Sequence, residues 1–148
     1  GTSLGISTLY LASSNKKTKV YTLEGCPETL NIAKKNFDKA KVKNIVSILG
    51  DFKNTLTSCL KKTKTVDLIF IDGNHQKKPT ISYFETCLNY SNNETIFIFD
   101  DIYWSSGMEE AWDYIKSHAE TTLTIDLFYL GIVFIKKELS KENYKIKF

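Results

Sequence analysis

The stretch TLTIDLFYLGIVFIKK, residues 122–137, contains two apolar segments, 122–128 and 130–137. Both are rich in β-branched and aromatic residues, which predicts a strand in each. The residues between them are too few for the helical crossover that joins parallel strands. The stretch therefore predicts an antiparallel hairpin near the C-terminal end of the sheet.

Upstream of this hairpin, short apolar segments alternate with longer amphipathic ones. The predicted strands are 20–24, 44–51, 66–72 and 94–101, and the predicted helices are 27–41, 53–63, 79–90 and 106–119. Strands with continuous apolar runs, separated by helices, indicate a parallel sheet covered on both faces. The predicted fold is α/β, a Rossmann-like three-layer sandwich with a mostly parallel sheet and a C-terminal antiparallel hairpin.

Two helices and the tail carry patterns that predict which residues face inward. Helix 27–41 has Pro27 in its first turn and places Leu30, Ala33, Phe37 and Ala40 on one face. Helix 106–119 directs Met108, Ala111, Trp112 and Ile115 inward. The tail alternates Tyr144, Ile146 and Phe148 among polar residues, which predicts a final edge segment.

Composition limits the class of protein. The 148 residues are 42% hydrophobic and 25% charged, with a net charge of +3, which suits one globular domain over 1–148. The lysines are scattered, arginine is absent, and no basic stripe indicates nucleic acid as a partner. Cys26, Cys59 and Cys87 show no disulfide or zinc spacing, so a reducing cytoplasm fits best. No apolar run is long enough to cross a bilayer.

The first twelve residues, GTSLGISTLYLA, place a glycine loop before an apolar helical run of Ile6, Leu9 and Tyr10. Gly1 and Gly5 would let backbone amides approach a ligand closely. Glu24 ends the next strand, where a carboxylate can accept hydrogen bonds from both hydroxyls of a ribose. The alternative is a tight turn and a surface glutamate.

The motif GDF, residues 50–52, places Asp51 at the end of the following strand. Asp51 could accept a hydrogen bond from the exocyclic amine of adenine, with Phe52 covering the ring. The alternative is that Asp51 caps the next helix. Both roles are compatible.

Two further motifs, IDGNH at 71–75 and FDDIYW at 99–104, each follow a buried strand. They bring Asp72, Asp100 and Asp101 to the same rim, with His75 three residues after Asp72. Crowded carboxylates resist ionising together, and an oxygen-coordinated divalent cation would relieve that repulsion. The alternative is that these acids cap helices and hold loops.

As a set, these motifs resemble class I S-adenosylmethionine-dependent methyltransferases. GTSLG, Glu24, GD at 50–51, FIDG at 70–73 and FDD at 99–101, with the hairpin, span nearly the whole chain. IDGNH followed by FDDIYWSSGMEEAW is similar to small bacterial enzymes related to the metal-dependent catechol-type O-methyltransferases. A nicotinamide-binding Rossmann fold is disfavoured, because the glycine spacing is GxxxG and the sheet ends in a hairpin.

The resemblance implies a role for each matching residue. Gly1, Ser3 and Gly5 would lie against the methionine part of S-adenosylmethionine, Glu24 would bind its ribose, and Asp51 with Phe52 would hold its adenine. Asp72, Asp100 and Asp101 fall at the positions of the magnesium ligands, although the third ligand in those enzymes is usually asparagine. Asp72 would also bind the cofactor and take part in catalysis.

In those enzymes the general base is a lysine, and His75 stands at its position here. An unperturbed histidine pKa of about 6.5 suits proton abstraction near neutral pH. Tyr103 and Trp104 are candidates for an aromatic wall against the substrate.

The predicted reaction is methylation of a small-molecule hydroxyl in the cytoplasm, with neither nucleic acid nor a membrane as partner. Related enzymes also suggest a homodimer. The resemblance further implies a central strand and covering helices before Gly1. The alternatives are a non-catalytic S-adenosylmethionine-binding module and a nicotinamide-dependent oxidoreductase. The sequence does not identify the methyl acceptor.

Overall fold

The computed structural model describes residues 1–147, so the predicted contribution of Phe148 to the tail lies outside the described residues. The chain divides into two compact units, Gly1–Cys59 and Leu60–Phe148, which are taken in turn. None of the helices within the described part combines the length and apolar character needed to cross a bilayer.

The first unit alternates helices and strands. Its elements are α1 (Ile6–Ser14), β1 (Val20–Glu24), α2 (Pro27–Lys39), β2 (Ile45–Leu49) and the start of α3 (Phe52–Thr63). β1 and β2 pair in parallel, with Val20 opposite Ile45 and Glu24 opposite Leu49. Because both strands run the same way, Glu24 and the GDF motif come to the same edge of this pair.

Helix α2 buries the face that its periodicity predicts, with one exception. Leu30, Ala33 and Phe37 are buried, whereas Ala40 is exposed because the helix ends at Lys39 and Ala40 is its C-terminal cap.

Helix α1 differs from its apolar pattern. Ile6 and Tyr10 are exposed, and the buried residues are the small Thr8 and Ala12. The hydroxyl of Thr8 lies 3.2 Å from that of Thr22 on β1, so a polar contact selects which face turns inward.

The second unit holds a five-stranded sheet. Its elements are β3 (Leu68–Ile71), α4 (Lys77–Leu88), β4 (Ile96–Asp100), α5 (Ser106–Ser117), β5 (Leu123–Asp126), β6 (Leu130–Phe134) and β7 (Glu142–Lys145). The strand order is β3-β4-β6-β5-β7. β3 pairs with β4 in parallel, and β6 runs antiparallel to both β4 and β5.

The structure confirms the predicted hairpin of β5 and β6 and shows the tail as an edge strand. β7 pairs in parallel with β5, placing Lys145 opposite Asp126. Most element bounds lie within two or three residues of prediction. Helix α4 begins at Lys77, so Pro79 lies at its third residue.

Aromatic residues dominate the core of the second unit. Phe84, Phe97 and Phe99 are buried, with ring centroids of Phe84 at 5.2 Å from Phe97 and 5.9 Å from Phe99. Trp112 lies over Gly131, where an added Cβ would be 2.6 Å from the indole ring. Glycine at this position therefore allows α5 to pack closely on β6. The predicted inward residues of α5, Met108, Ala111, Trp112 and Ile115, are all buried.

Candidate functional site

The N-terminal loop is held by hydrogen bonds near both of its ends. Thr2 donates its backbone N–H to the carbonyl of Leu23 at 3.1 Å, and its buried hydroxyl lies 2.7 Å from that of Thr22. Gly5 has φ 84°, in the left-handed region, and its amide donates to the carbonyl of Thr2 at 2.8 Å. The loop is therefore fastened to β1 on one side and turns tightly into α1 on the other.

Gly5 is required by packing as well as by conformation. A Cβ there would lie 2.4 Å from Cε1 of Phe37 and 3.2 Å from Cβ of Ala33, both on α2. Real Cβ atoms do not approach carbon this closely. The second glycine of GTSLG is thus the position at which α2 closes on the loop.

Glu24 joins the loop to the end of β1. Its Oε2 accepts the backbone N–H of Ser3 at 2.8 Å, and its Oε1 accepts that of Cys26 at 3.0 Å. Ser3 has φ 48°, in the left-handed region. Since each carboxylate oxygen can accept two hydrogen bonds, each retains capacity for a ligand hydroxyl.

Asp51 lies beside this group. The carbonyl of Glu24 accepts the N–H of Gly50 at 2.8 Å, and Oδ1 of Asp51 lies 3.5 Å from the point where a Cβ on Gly25 would be. Its backbone carbonyl accepts the N–H of Asn54 and of Thr55, each at 3.0 Å, which opens α3. Glu24 thus contacts the loop at Ser3 and lies near Asp51 in the first unit. The predicted cofactor residues of this unit are called the glycine-loop cluster: Gly1, Ser3, Gly5, Glu24, Asp51 and Phe52.

In the second unit, His75 lies between two carboxylates. Its Nε2 is 3.6 Å from Oδ1 of Asp72, and its Nδ1 is 3.7 Å from Oδ2 of Asp101. The imidazole is partly exposed, and its ring centroid lies 6.5 Å from that of Trp104. Asp72, His75, Asp101 and Trp104 form what we call the histidine cluster.

Asp100, at the end of β4, has a different environment from its neighbour. Burial raises the pKa of the Asp100 carboxyl above its ordinary value, and the charges of Asp72 and Asp101 raise it further. Its Oδ1 accepts the backbone N–H of Asp101 at 3.0 Å. The sequence anticipated this crowding of charge.

The predicted magnesium site is not supported by this arrangement. Within residues 1–147, no group of three or more His, Cys, Asp or Glu side chains is disposed to hold a metal ion. Asp72 and Asp101 face the two nitrogens of His75, which places a ring between them. The positions of Asp72, Asp100 and Asp101 therefore give no support to the predicted divalent cation.

Of the two residues predicted to form an aromatic wall, only Trp104 lies beside His75. Trp104 is 71% exposed beside His75, whereas the phenol of Tyr103 turns to Asp126. Sequence reasoning also missed the buried hydroxyl network of Thr2, Thr8 and Thr22, because threonines at these positions give no signal beyond ordinary loop and strand residues. The expectation that every acid from Glu24 to Asp101 shares one rim stays a prediction.

Comparison with known proteins identifies the family. Residues 1–102 match the family model described as a methyltransferase domain, so the chain belongs to the methyltransferase-domain family. A catechol O-methyltransferase from Niastella koreensis is 31% identical over 105 residues, which are 69% of this chain and 47% of that protein. The chain thus spans about half the length of this curated relative.

Solved structures show the fold. TomG from Streptomyces achromogenes, an O-methyltransferase involved in tomaymycin synthesis and solved with S-adenosylmethionine, is 17% identical with a TM-score of 0.79, covering 92% of this chain and 70% of its own. An O-methyltransferase from Bacillus cereus, solved with S-adenosylhomocysteine, is 22% identical with a TM-score of 0.71, covering 90% and 71%. These likenesses confirm the predicted Rossmann-like α/β fold of class I methyltransferases.

Proposed function

We propose that this chain is the S-adenosylmethionine-dependent methyltransferase part of an enzyme that methylates a hydroxyl of a small molecule. The observation that carries the proposal is Glu24, whose carboxylate is fixed at the end of β1 by the amides of Ser3 and Cys26. An acceptor pair held in this way suits the two hydroxyls of a ribose. The S-adenosylmethionine or S-adenosylhomocysteine bound to three solved structures of this fold supports the same ligand.

The glycine-loop cluster would bind the cofactor through contacts that its geometry supports. Gly1, Ser3 and Gly5 present backbone to the methionine part, Glu24 accepts from the ribose, and Asp51 with Phe52 receives the adenine. When bound, the cofactor supplies a methyl group on a sulfonium, which is already a good leaving group. The chain's own task is then to orient the acceptor and remove its proton.

Within the second unit, His75 is the group whose surroundings suit it to take that proton. A neutral imidazole carries a proton on one nitrogen, and here each nitrogen faces a carboxylate at 3.6 or 3.7 Å. These distances are too long for direct hydrogen bonds, and the unprotonated nitrogen faces another acceptor. An acceptor hydroxyl can donate to this nitrogen, and the two carboxylates then stabilise the imidazolium that forms.

The proposed reaction is an in-line displacement at the methyl carbon. The acceptor oxygen gives its proton to His75 and forms a bond to the methyl carbon as the carbon–sulfur bond breaks. The products are the methyl ether and S-adenosylhomocysteine, and the proton then leaves His75 for solvent. No step of this sequence uses a metal ion.

Glu24→Gln tests the proposal by calorimetric titration with S-adenosylhomocysteine. Glutamine retains one acceptor oxygen and turns an NH₂ group toward an amide that needs an acceptor. Hydrogen bonds to charged groups contribute about 1.5–3 kcal/mol, so the dissociation constant should rise about 10- to 150-fold. The matched control is Glu28→Gln, an exposed acid in the first turn of α2 that contacts Sγ of Cys26.

Two outcomes would contradict the proposal. Unchanged affinity in Glu24→Gln would remove Glu24 from the ribose role. Binding of NAD by the parent chain, with none of S-adenosylhomocysteine, would replace the methyltransferase with a nicotinamide enzyme. A catechol is the first acceptor to assay, because the relative from Niastella koreensis is named for that substrate.

A further inference from the structure

A second polar cluster lies behind the loop that carries Asp101 and Trp104. Tyr103, between these two residues, donates its hydroxyl to Oδ2 of Asp126 at 2.5 Å. Nζ of Lys145 donates to the same phenol oxygen at 2.9 Å and lies 3.7 Å from Oδ2 of Asp126. Tyr103, Asp126 and Lys145 form what we call the tyrosine cluster.

Both carboxylate oxygens of Asp126 already accept hydrogen bonds. It is 5% exposed, at the end of β5, and its Oδ1 accepts the backbone N–H of Phe128 at 2.9 Å. The Phe128 ring stacks on Tyr103 with centroids 5.5 Å apart. Burial raises the pKa of Asp126, but the Tyr103 and Phe128 hydrogen bonds and the Lys145 charge together bring it below its ordinary value.

Lys145 supplies the charge that a buried carboxylate requires. It lies on β7, an edge strand whose four residues are all exposed, and its backbone is in register with Asp126. Apart from pairing with β5, this strand contributes a side chain to the polar cluster. The edge strand is therefore joined to the loop after β4 through Lys145 and Tyr103.

The loop after β4 has reason to be held. Asp101 has φ 54°, a left-handed conformation that aspartate adopts more readily than most residues but that still has an energetic cost. Such a conformation persists where neighbouring contacts determine it. Here Asp101 donates its N–H to Asp100, Ile102 is 1% exposed, and Trp104 donates its N–H to the carbonyl of Asp101 at 2.9 Å. Tyr103 adds the side-chain contact that reaches β5 and β7.

We propose that Tyr103 and Lys145 are positioning residues, which hold the 101–105 loop so that Asp101 and Trp104 stay beside His75. The inference rests on the proposed function, since it assigns to His75 the proton of the acceptor. Neither residue touches the acceptor in this account. Each acts through the backbone of the loop, which sets where the carboxylate of Asp101 and the indole of Trp104 lie.

Two variants test the proposal, Tyr103→Phe and Lys145→Met, each with a matched control on the same edge of the sheet. Tyr144→Phe removes the hydroxyl of an exposed tyrosine on β7 that contacts Glu142, and Lys147→Met removes an exposed ammonium two residues after Lys145. Lys145→Arg should restore function, because it keeps the charge and the donors.

The first readout needs neither cofactor nor acceptor. Amide hydrogen exchange by NMR should accelerate about tenfold at Asp101 and Trp104 in both variants, because local opening governs exchange. The buried amide of Val133 serves as the reference and should not change. Unchanged exchange at Asp101 and Trp104 would overturn the proposal, whatever the activity of the parent chain.

The second readout separates positioning from a merely structural role. With 3,4-dihydroxybenzoate as acceptor, kcat should fall about tenfold in Tyr103→Phe, because catalysis is sensitive to small displacements. The affinity for S-adenosylhomocysteine should stay that of the parent. Faster exchange with unchanged kcat would also overturn the proposal. A parent that binds no S-adenosylhomocysteine refutes the proposed function by itself, while the exchange result still decides whether the cluster holds the loop.

Discussion

Gly5→Ala gives a quantitative test of how the glycine loop is built. The new methyl group would lie 2.4 Å from Cε1 and 2.8 Å from Cζ of Phe37, on a ring that is itself buried. Overpacking of this kind costs about 1–3 kcal/mol. Alanine at φ 84° adds about 1 kcal/mol, because the left-handed conformation is unfavourable with a Cβ. The free energy of unfolding should therefore fall by about 2–4 kcal/mol.

Urea denaturation followed by circular dichroism measures this loss, and a second background separates its two parts. In Phe37→Leu the ring is gone, so Gly5→Ala should cost about 1 kcal/mol from the backbone alone. Gly25→Ala is the control, since its Cβ would lie 3.5 Å from Oδ1 of Asp51 at an ordinary contact distance.

The reasoning fails if the free energy of unfolding of Gly5→Ala is within about 0.5 kcal/mol of that of the parent. Ordinary surface substitutions have effects of this size. It also fails if the loss is equal in the parent and the Phe37→Leu background. In that case Phe37 would not be the group that excludes the methyl.

Three further predictions concern the second unit. His75→Gln should lower kcat for a catechol by about 100-fold or more with unchanged affinity for S-adenosylhomocysteine, whereas His118→Gln, at the other histidine, should not; equal losses would remove His75 as the base. EDTA treatment should leave turnover unchanged, and a loss that Mg²⁺ restores would show that the acids do form a metal site. The lowered pKa of Asp126 means that its carboxylate stabilises the fold above its ordinary pKa of 3.8 and that this contribution is lost as pH falls through the lowered value. The stability difference between the parent and Asp126→Asn should thus be constant above about pH 5 and shrink below about pH 4, and urea titrations at both ends that give equal differences would contradict the assignment.

Local sequence patterns were sufficient to locate the helices and strands and to place the acidic residues at the strand ends. Glu24, Asp51, Asp72 and Asp100 each follow an apolar segment, and period and length located those segments. The short separation of β5 and β6 fixed their antiparallel pairing. It did not determine which of the two strands joins β4, because a hairpin can present either edge. The contact between Gly131 on β6 and Trp112 on α5 likewise gives no local sequence signal.

The contacts that the sequence could not indicate are those between distant polar residues. Tyr103 and Lys145 are separated by 42 positions, and Thr2 and Thr22 by 20. Each residue type is common on surfaces, so nothing local marks it as a partner. The spacing of Asp72 and His75 suits both a metal site and a carboxylate–imidazole contact. Only the fold shows that Asp101 lies beside the other ring nitrogen of His75.

The acidic residues of this chain differ in the hydrogen bonds that their carboxylates already accept. This difference indicates a different role for each of them. Glu24 and Asp126 are each held by backbone amides, so their positions are set before any ligand arrives. Asp126 is also buried and compensated by Lys145, which leaves it a structural task, whereas Glu24 stays within reach of a ligand. Asp72 and Asp101 instead flank the ring of His75 at 3.6 and 3.7 Å, so they act on the group proposed as the base and not on the cofactor. Substituting Asp101 by asparagine should therefore lower kcat without altering cofactor affinity, the reverse of the effect expected for Glu24→Gln.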